Sequence, residues 1–155
     1  VRAGMNENGE IEMKQPRGRV AELLGDAENL GAWQPGYLGL EHLSGTEGAA
    51  GSTSTLSYAH GKRVIEMTEL LEVNNLPDEF SATYCAKGMK MTVRNRFEEA
   101  GPDKTRWVSE NEAVVSGIMM RVIALIMPGC FRKQSLKYME NFKAFAEDGT
   151  DLRKE

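Results

Sequence analysis

The sequence predicts an α+β fold: a seven-stranded, curved antiparallel sheet wraps a long C-terminal helix, with two short helices between strands 1 and 2. Three observations predict it. From Tyr37 to Val115 the chain repeats short β-type segments, each ended by a cluster of Gly, Pro, Asn or Asp. After about Gly129 the apolar period becomes helical. A sheet with one apolar face needs a cover, and the C-terminal helix is the only large element left to supply it.

The elements follow in order. Gly9–Lys14 (GEIEMK) alternates polar and apolar, with Ile11 and Met13 on one side, and reads as a strand. Pro16 suits the first turn of a helix, where a missing N–H costs nothing. Val20, Leu23 and Leu24 recur at helical spacing, and Gly25 is placed to cap the end. Asp26 can cap a second short helix, Ala27–Gly31, which Gln34-Pro35-Gly36 ends.

Six strands come next: Tyr37–Ser44, Ser52–His60, Arg63–Val73, Glu79–Ala86, Lys90–Glu99 and Thr105–Val115. The short connections imply an antiparallel meander, with tight hairpin turns at HGK and AKGM. Ser116–Met127 then reads as an apolar helical segment, interrupted at Pro128. From about Gly129 to Glu147 an amphipathic helix places Phe131, Ser135, Tyr138, Phe142 and Phe145 near one face, flanked by Met139 and Ala146. The expected organisation is one domain, residues 9–148, between an N-terminal extension, 1–8, and a charged, frayed tail, 149–155.

Composition narrows the function classes. A net charge of -4 over 155 residues, and no Lys/Arg block, argue against a nucleic-acid partner. The run SGIMMRVIALIMPGCF is shorter than the roughly 20 residues of a membrane span, carries Arg121 and breaks at Pro128. It reads as core and cavity wall, with no integral membrane association. Cys85 and Cys130 lack metal-site spacing and read as buried free thiols in a reducing, cytoplasmic compartment. No nucleophile elbow, P-loop, dinucleotide fingerprint or metal motif is present, so no cofactor or metal is expected and no catalytic residue is assigned. An exposed edge strand leaves a homodimer open.

The segments MKQPRGRVAELLGDAENLGAWQPGY, RVIEMTELLEVNNLPDEFSATY, TVRNRFEEAGPDKTRWV and SLKYMENFKAFAE, in that order, resemble the START-like (SRPBCC) superfamily. The nearest branch is the polyketide cyclase/dehydrase and lipid transport group. The resemblance covers essentially residues 9 to 148 and implies the helix-grip fold. It implies no single activity, because such proteins include binders, carriers, cyclases and chaperone co-regulators.

Strand parity selects the candidate site. A curved sheet gripping one helix leaves a gap between them. If Phe97 faces that gap, so do Met91, Val93 and Asn95; if Trp107 does, so do Ser109, Asn111 and Ala113. Phe80, Ala82 and Tyr84 share a face, as do Ser54, Leu56, Tyr58 and His60. Ile65, Met67, Glu69, Leu71 and Val73 share another. The expected ligand-contact set is Trp33, Tyr58, Met67, Tyr84, Met91, Asn95, Trp107, Ser109, Asn111, Val122, Ile126 and Tyr138.

Other readings stand beside these. Trp33 either caps the core, which burial statistics favour, or borders the cavity mouth. His60 and His42 read as exposed residues rather than acid/base groups. Glu66 and Glu72 fall on the face opposite Glu69, so these carboxylates cannot converge. The methionines suit a core or an adaptable apolar site.

Three functions fit: binding of an apolar or aromatic small molecule, lipid or polyketide-like; a cyclase/dehydratase drawing a proton donor from Tyr58, Tyr84, Glu69 or His60; or a protein-interaction module with a filled core.

Overall fold

Apolar–polar alternation along the chain builds seven strands, and short turns fold six of them into successive hairpins. The computed structural model describes residues 2–117 and 130–155. The strands are β1 (Arg2–Met13), β2 (Tyr37–Ser44), β3 (Thr53–His60), β4 (Arg63–Asn75), β5 (Glu79–Ala86), β6 (Met89–Gly101) and β7 (Lys104–Ser116). The helices are α1 (Arg17–Gly25), α2 (Leu30–Trp33) and α3 (Cys130–Asp148), with 3-10 turns at Ala27–Asn29 and Leu152–Lys154. The sheet order is β1-β7-β6-β5-β4-β3-β2, and every pairing is antiparallel.

The expected strand and helix boundaries hold to within one or two residues from β2 to β7. Two ends differ. The first strand starts at Arg2, not Gly9, because the early residues pair with β7 from Arg2↔Ser116 onward. Backbone pairing replaces the alternation that RAGMNENG lacks. The C-terminal segment is docked rather than frayed. Asp151 is buried, caps the last 3-10 turn and pairs with Arg153 at 2.6 Å. Arg153 Nη1 in turn donates to the Glu28 carbonyl at 3.0 Å. Hydrogen bonding to Arg153 holds the Asp151 carboxyl at about 2.

Local chemistry explains the short helices. Pro16 stands at the N-cap of α1, and its carbonyl accepts from Arg19 N and Val20 N. The Asp26 side chain accepts from Glu28 N at 3.0 Å, and Asn29 Nδ2 donates to the Leu23 carbonyl. The expected Ala27–Gly31 helix is therefore a 3-10 turn followed by α2. Gly36 ends this region at φ +77, where a Cβ would collide with the Ala59 carbonyl oxygen.

The core lies at one end of the sheet. Met13, Val20, Ala32, Trp33, Phe97, Trp107, Met139, Phe142 and Ala146 form one buried cluster. On α3 the buried stripe is Met139, Phe142 and Ala146. Met139 and Ala146, expected to flank the face, stand at its centre, while Phe145 is only partly buried. Phe142 is fully buried and meets Trp33 and Trp107 edge-to-face at 5.3 and 5.5 Å. The Ser116–Met127 segment, apart from Ser116 at the end of β7 and Gly117, lies outside the described residues. So do Val122, Ile126, the Pro128-Gly129 bend and the Phe131 side chain.

Candidate ligand cavity

Residues directly opposite in an antiparallel pair point to one face, so register builds the site. Ser54, Glu69, Tyr84, Met91 and Ala113 form one row across five strands. Ala82, Val93 and Asn111 form the next, and Phe80, Asn95 and Ser109 the one after. Met67 lies opposite Leu56 on the same face. A bulge on β4 breaks the expected parity: Leu71 pairs with Ala82 but Val73 pairs with Ser81, so Val73 joins the other face.

Between this face and the N-terminal half of α3 lies a cavity of about 180 Å³. Its floor is Met67, Met89, Met91, Val93 and Ala113. Gln134, Ser135, Tyr138 and Met139 cover it from α3. Trp33, Gln34 and Trp107 border it, as do Tyr58, Tyr84, Asn95, Ser109 and Asn111. Gly9 lets the helix approach β1, since a Cβ there would stand 3.1 Å from Leu136 Cδ2.

Ten of the twelve residues expected at the site thus border one space: Trp33, Tyr58, Met67, Tyr84, Met91, Asn95, Trp107, Ser109, Asn111 and Tyr138. Val122 and Ile126 lie outside the described residues. Trp33 serves core and cavity wall together; its Nε1 is buried without a hydrogen-bond partner, and its ring meets Trp107, Tyr138 and Phe142 edge-on. Seven further residues line the cavity outside the expected set: Val93 and Ala113, which share the inward parity, Ser135 and Met139 on or beside the apolar face of α3, Met89 at the start of β6, Gln34, which sits in a loop without periodicity, and Gln134 beside Ser135.

The polar groups are organised in pairs. Trp107 Nε1 donates to Asn95 Oδ1 at 2.9 Å, and Asn95 Nδ2 donates to the Phe80 carbonyl at 3.1 Å. Ser109 Oγ donates to Asn111 Oδ1, and Asn111 Nδ2 donates to Ser135 Oγ at 3.1 Å, tying the sheet to α3. The Tyr58 hydroxyl donates to Gln34 Oε1 at 2.7 Å. Tyr84 stands directly opposite Glu69. Burial pushes the Glu69 carboxyl up, against the lowering effect of the neighbouring Tyr84 hydroxyl. Burial likewise raises Tyr58 and, with Glu69 beside it, raises Tyr84 well above the ordinary phenol value.

Elsewhere His60 and His42 are exposed, as expected. Glu66 and Glu72 are exposed, while Glu69 is partly buried on the inner face. Cys85 is exposed, not buried, because it follows the inward Tyr84 on its strand. The Cys130 side chain lies outside the described residues. Among the described residues no cluster of His, Cys, Asp or Glu could hold a metal ion, and no helix is long and apolar enough to cross a membrane.

No family model matches the chain. No curated protein matches it. Solved structures do. The Zhui aromatase/cyclase of Streptomyces sp. R1128 is 12% identical with a TM-score of 0.74, over 93% of this chain and 94% of that chain. The norcoclaurine synthase of Thalictrum flavum is 13% identical with a TM-score of 0.72, over 95% and 96%. Ara h 8.0201 is 10% identical with a TM-score of 0.69, over 93% and 98%. Likeness over whole chains at such low identity establishes architecture. The chain therefore has the helix-grip fold that these proteins share.

Proposed function

We propose that the chain binds a small apolar or aromatic molecule, of about one ring, in the cavity between the sheet and α3. The observation that carries this reading is the cavity itself: about 180 Å³ of space over methionine, valine and alanine side chains. An apolar cavity of about 150 Å³ accepts a benzene-sized guest. A drug-sized ligand needs roughly 300 Å³ or more. The volume therefore favours a one-ring compound over a long acyl chain or a fused polyketide. Apolar burial at about 25 cal/mol per Å² would drive binding, less the cost of association. One structure of norcoclaurine synthase holds dopamine and hydroxybenzaldehyde, both single-ring compounds. An open cavity also weighs against the filled-core interaction module.

The test is an NMR titration of the chain with benzene and with phenol. Shifts confined to amides around Met91, Ala113 and Tyr138 are expected. Saturating probe with no such shifts would refute the reading.

A second reading, an enzyme of the cyclase/dehydratase kind, is favoured by the Glu69–Tyr84 pair. A carboxyl raised by burial, with a phenol opposite it, is suited to give or take a proton. The check is hydrogen–deuterium exchange at the activated C–H of phenylacetone in D₂O. Acceleration by the wild-type chain and not by Glu69→Gln is expected; equal rates with and without protein would end this reading.

A further inference from the structure

Several polar groups around the cavity give their protons to one another, but those on the wall formed by α2 and α3 do not. Trp33 is only 6% exposed, and among the described residues its Nε1–H has no hydrogen-bond partner. Its ring neighbours, Trp107, Tyr138 and Phe142, offer it π faces, which are weak acceptors. The Tyr138 hydroxyl accepts from Gln134 Nε2 at 3.5 Å, and among the described residues its own proton goes to no acceptor. The rings of Trp33 and Tyr138 meet edge-to-face with centroids 6.2 Å apart, and both residues border the cavity. One wall therefore holds two uncommitted donors.

The side-chain acceptors around the same space are already engaged. Asn95 Oδ1 accepts from Trp107, Asn111 Oδ1 from Ser109 and Gln34 Oε1 from Tyr58. A buried donor left without an acceptor is a standing cost, which a guest oxygen would remove. Charge narrows the choice of guest. Among the described residues no Lys, Arg or His borders the cavity, so a carboxylate would enter without a counter-ion, which is costly. A hydroxyl would bring a donor of its own to be placed. A carbonyl oxygen is neutral, brings no proton and has two lone pairs, one for each donor of the wall.

We propose that the Trp33–Tyr138 wall is an acceptor-binding subsite, so that the ligand is a small neutral carbonyl compound on an aromatic or apolar body. This rests on the cavity being a ligand site.

The experiment is an NMR titration of the chain near neutral pH with acetophenone, α-methylstyrene and benzoate. The alkene has the shape of the ketone, with CH₂ in place of oxygen. Against a wall without donors the alkene binds tighter, because the ketone leaves its hydrogen bonds with water behind. Here acetophenone should bind at least as tightly as the alkene, and benzoate about ten-fold or more weaker. Tyr138→Phe should weaken acetophenone about three- to ten-fold more than α-methylstyrene, as expected for one lost hydrogen bond. The Trp33 indole N–H resonance should move downfield with the ketone and not with the alkene, a difference that packing alone would not produce. An alkene ten-fold tighter than the ketone, a ketone-to-alkene ratio that ignores Tyr138→Phe, a Trp33 resonance that responds alike to both, or benzoate as tight as the ketone refutes the subsite while the cavity reading stands. If none of the three binds, both are refuted.

Discussion

Glu69 on β4 and Tyr84 on β5 stand directly opposite each other on the inner face of the sheet. The pairing follows from register alone. Its consequence is a carboxyl partly withdrawn from water and pushed above its ordinary value of 4.5, with the neighbouring Tyr84 hydroxyl only partly offsetting burial. The folded chain therefore binds the Glu69 proton more tightly than the unfolded chain does. Between the two values the folded state holds more protons, so stability falls as pH rises. The contribution is fully present below the unfolded value and is lost as pH rises through the raised one. Glu69→Gln removes that dependence. Thermal unfolding at a series of pH values should show the variant gaining on the wild type from about pH 4 upward. A constant difference in Tm across the series would contradict the burial of this group.

Asn95 links three elements of the wall. It accepts from Trp107 Nε1, donates to the Phe80 carbonyl and borders the cavity. Asn95→Ala leaves the buried indole N–H and that carbonyl without their partner. The expected loss is about 1–3 kcal/mol, measured by urea unfolding. A loss under about 0.5 kcal/mol would mean that these bonds are replaced by water entering from the cavity.

Most of the cavity lining was legible because a strand has a period of two. Once Phe97 and Trp107 are placed inward, Met91, Asn95, Ser109 and Asn111 follow without further information. The same parity put Cys85 outside, opposite to Tyr84; the general tendency of cysteine to be buried pointed the wrong way. Val73 escaped because a bulge adds one residue and leaves no mark in the sequence. Gln34 escaped because a loop has no period at all, yet its side chain decides which way the Tyr58 proton points. The N-terminal part of β1 escaped for a different reason. Its order comes from pairing with β7, a contact more than a hundred residues away in the chain, rather than from any local pattern.

Gly36 holds Gln34 and β2 in place through backbone geometry. Its φ is +77, its carbonyl accepts from Ala59 N at 2.7 Å, and a side chain would meet the Ala59 carbonyl oxygen. Gly36→Ala should therefore cost more than about 1 kcal/mol, through strain in the left-handed region added to the collision. It should also weaken the Tyr58–Gln34 bond. Denaturant unfolding reads the first effect. A change in the near-UV tyrosine signal reads the second. A variant as stable as the wild type would show that the β2–β3 edge can shift freely.

Ala113 gives the sharpest test of the cavity. It is buried, lies in the row with Tyr84 and Met91, and borders the empty space. Ala113→Leu adds three carbons pointing into that space. In a packed core such a change costs about 1–3 kcal/mol through forced rotamers. Where space is already present, the added apolar contact offsets the strain, and cavity filling commonly contributes about 0.5–2 kcal/mol. The variant should therefore be within about 1 kcal/mol of the wild type in denaturant unfolding, while benzene and phenol lose about ten-fold or more in affinity as their volume is occupied. Strong destabilisation would mean that the space closes in solution. Retained stability with unchanged probe binding would place the ligand somewhere other than between the sheet and α3.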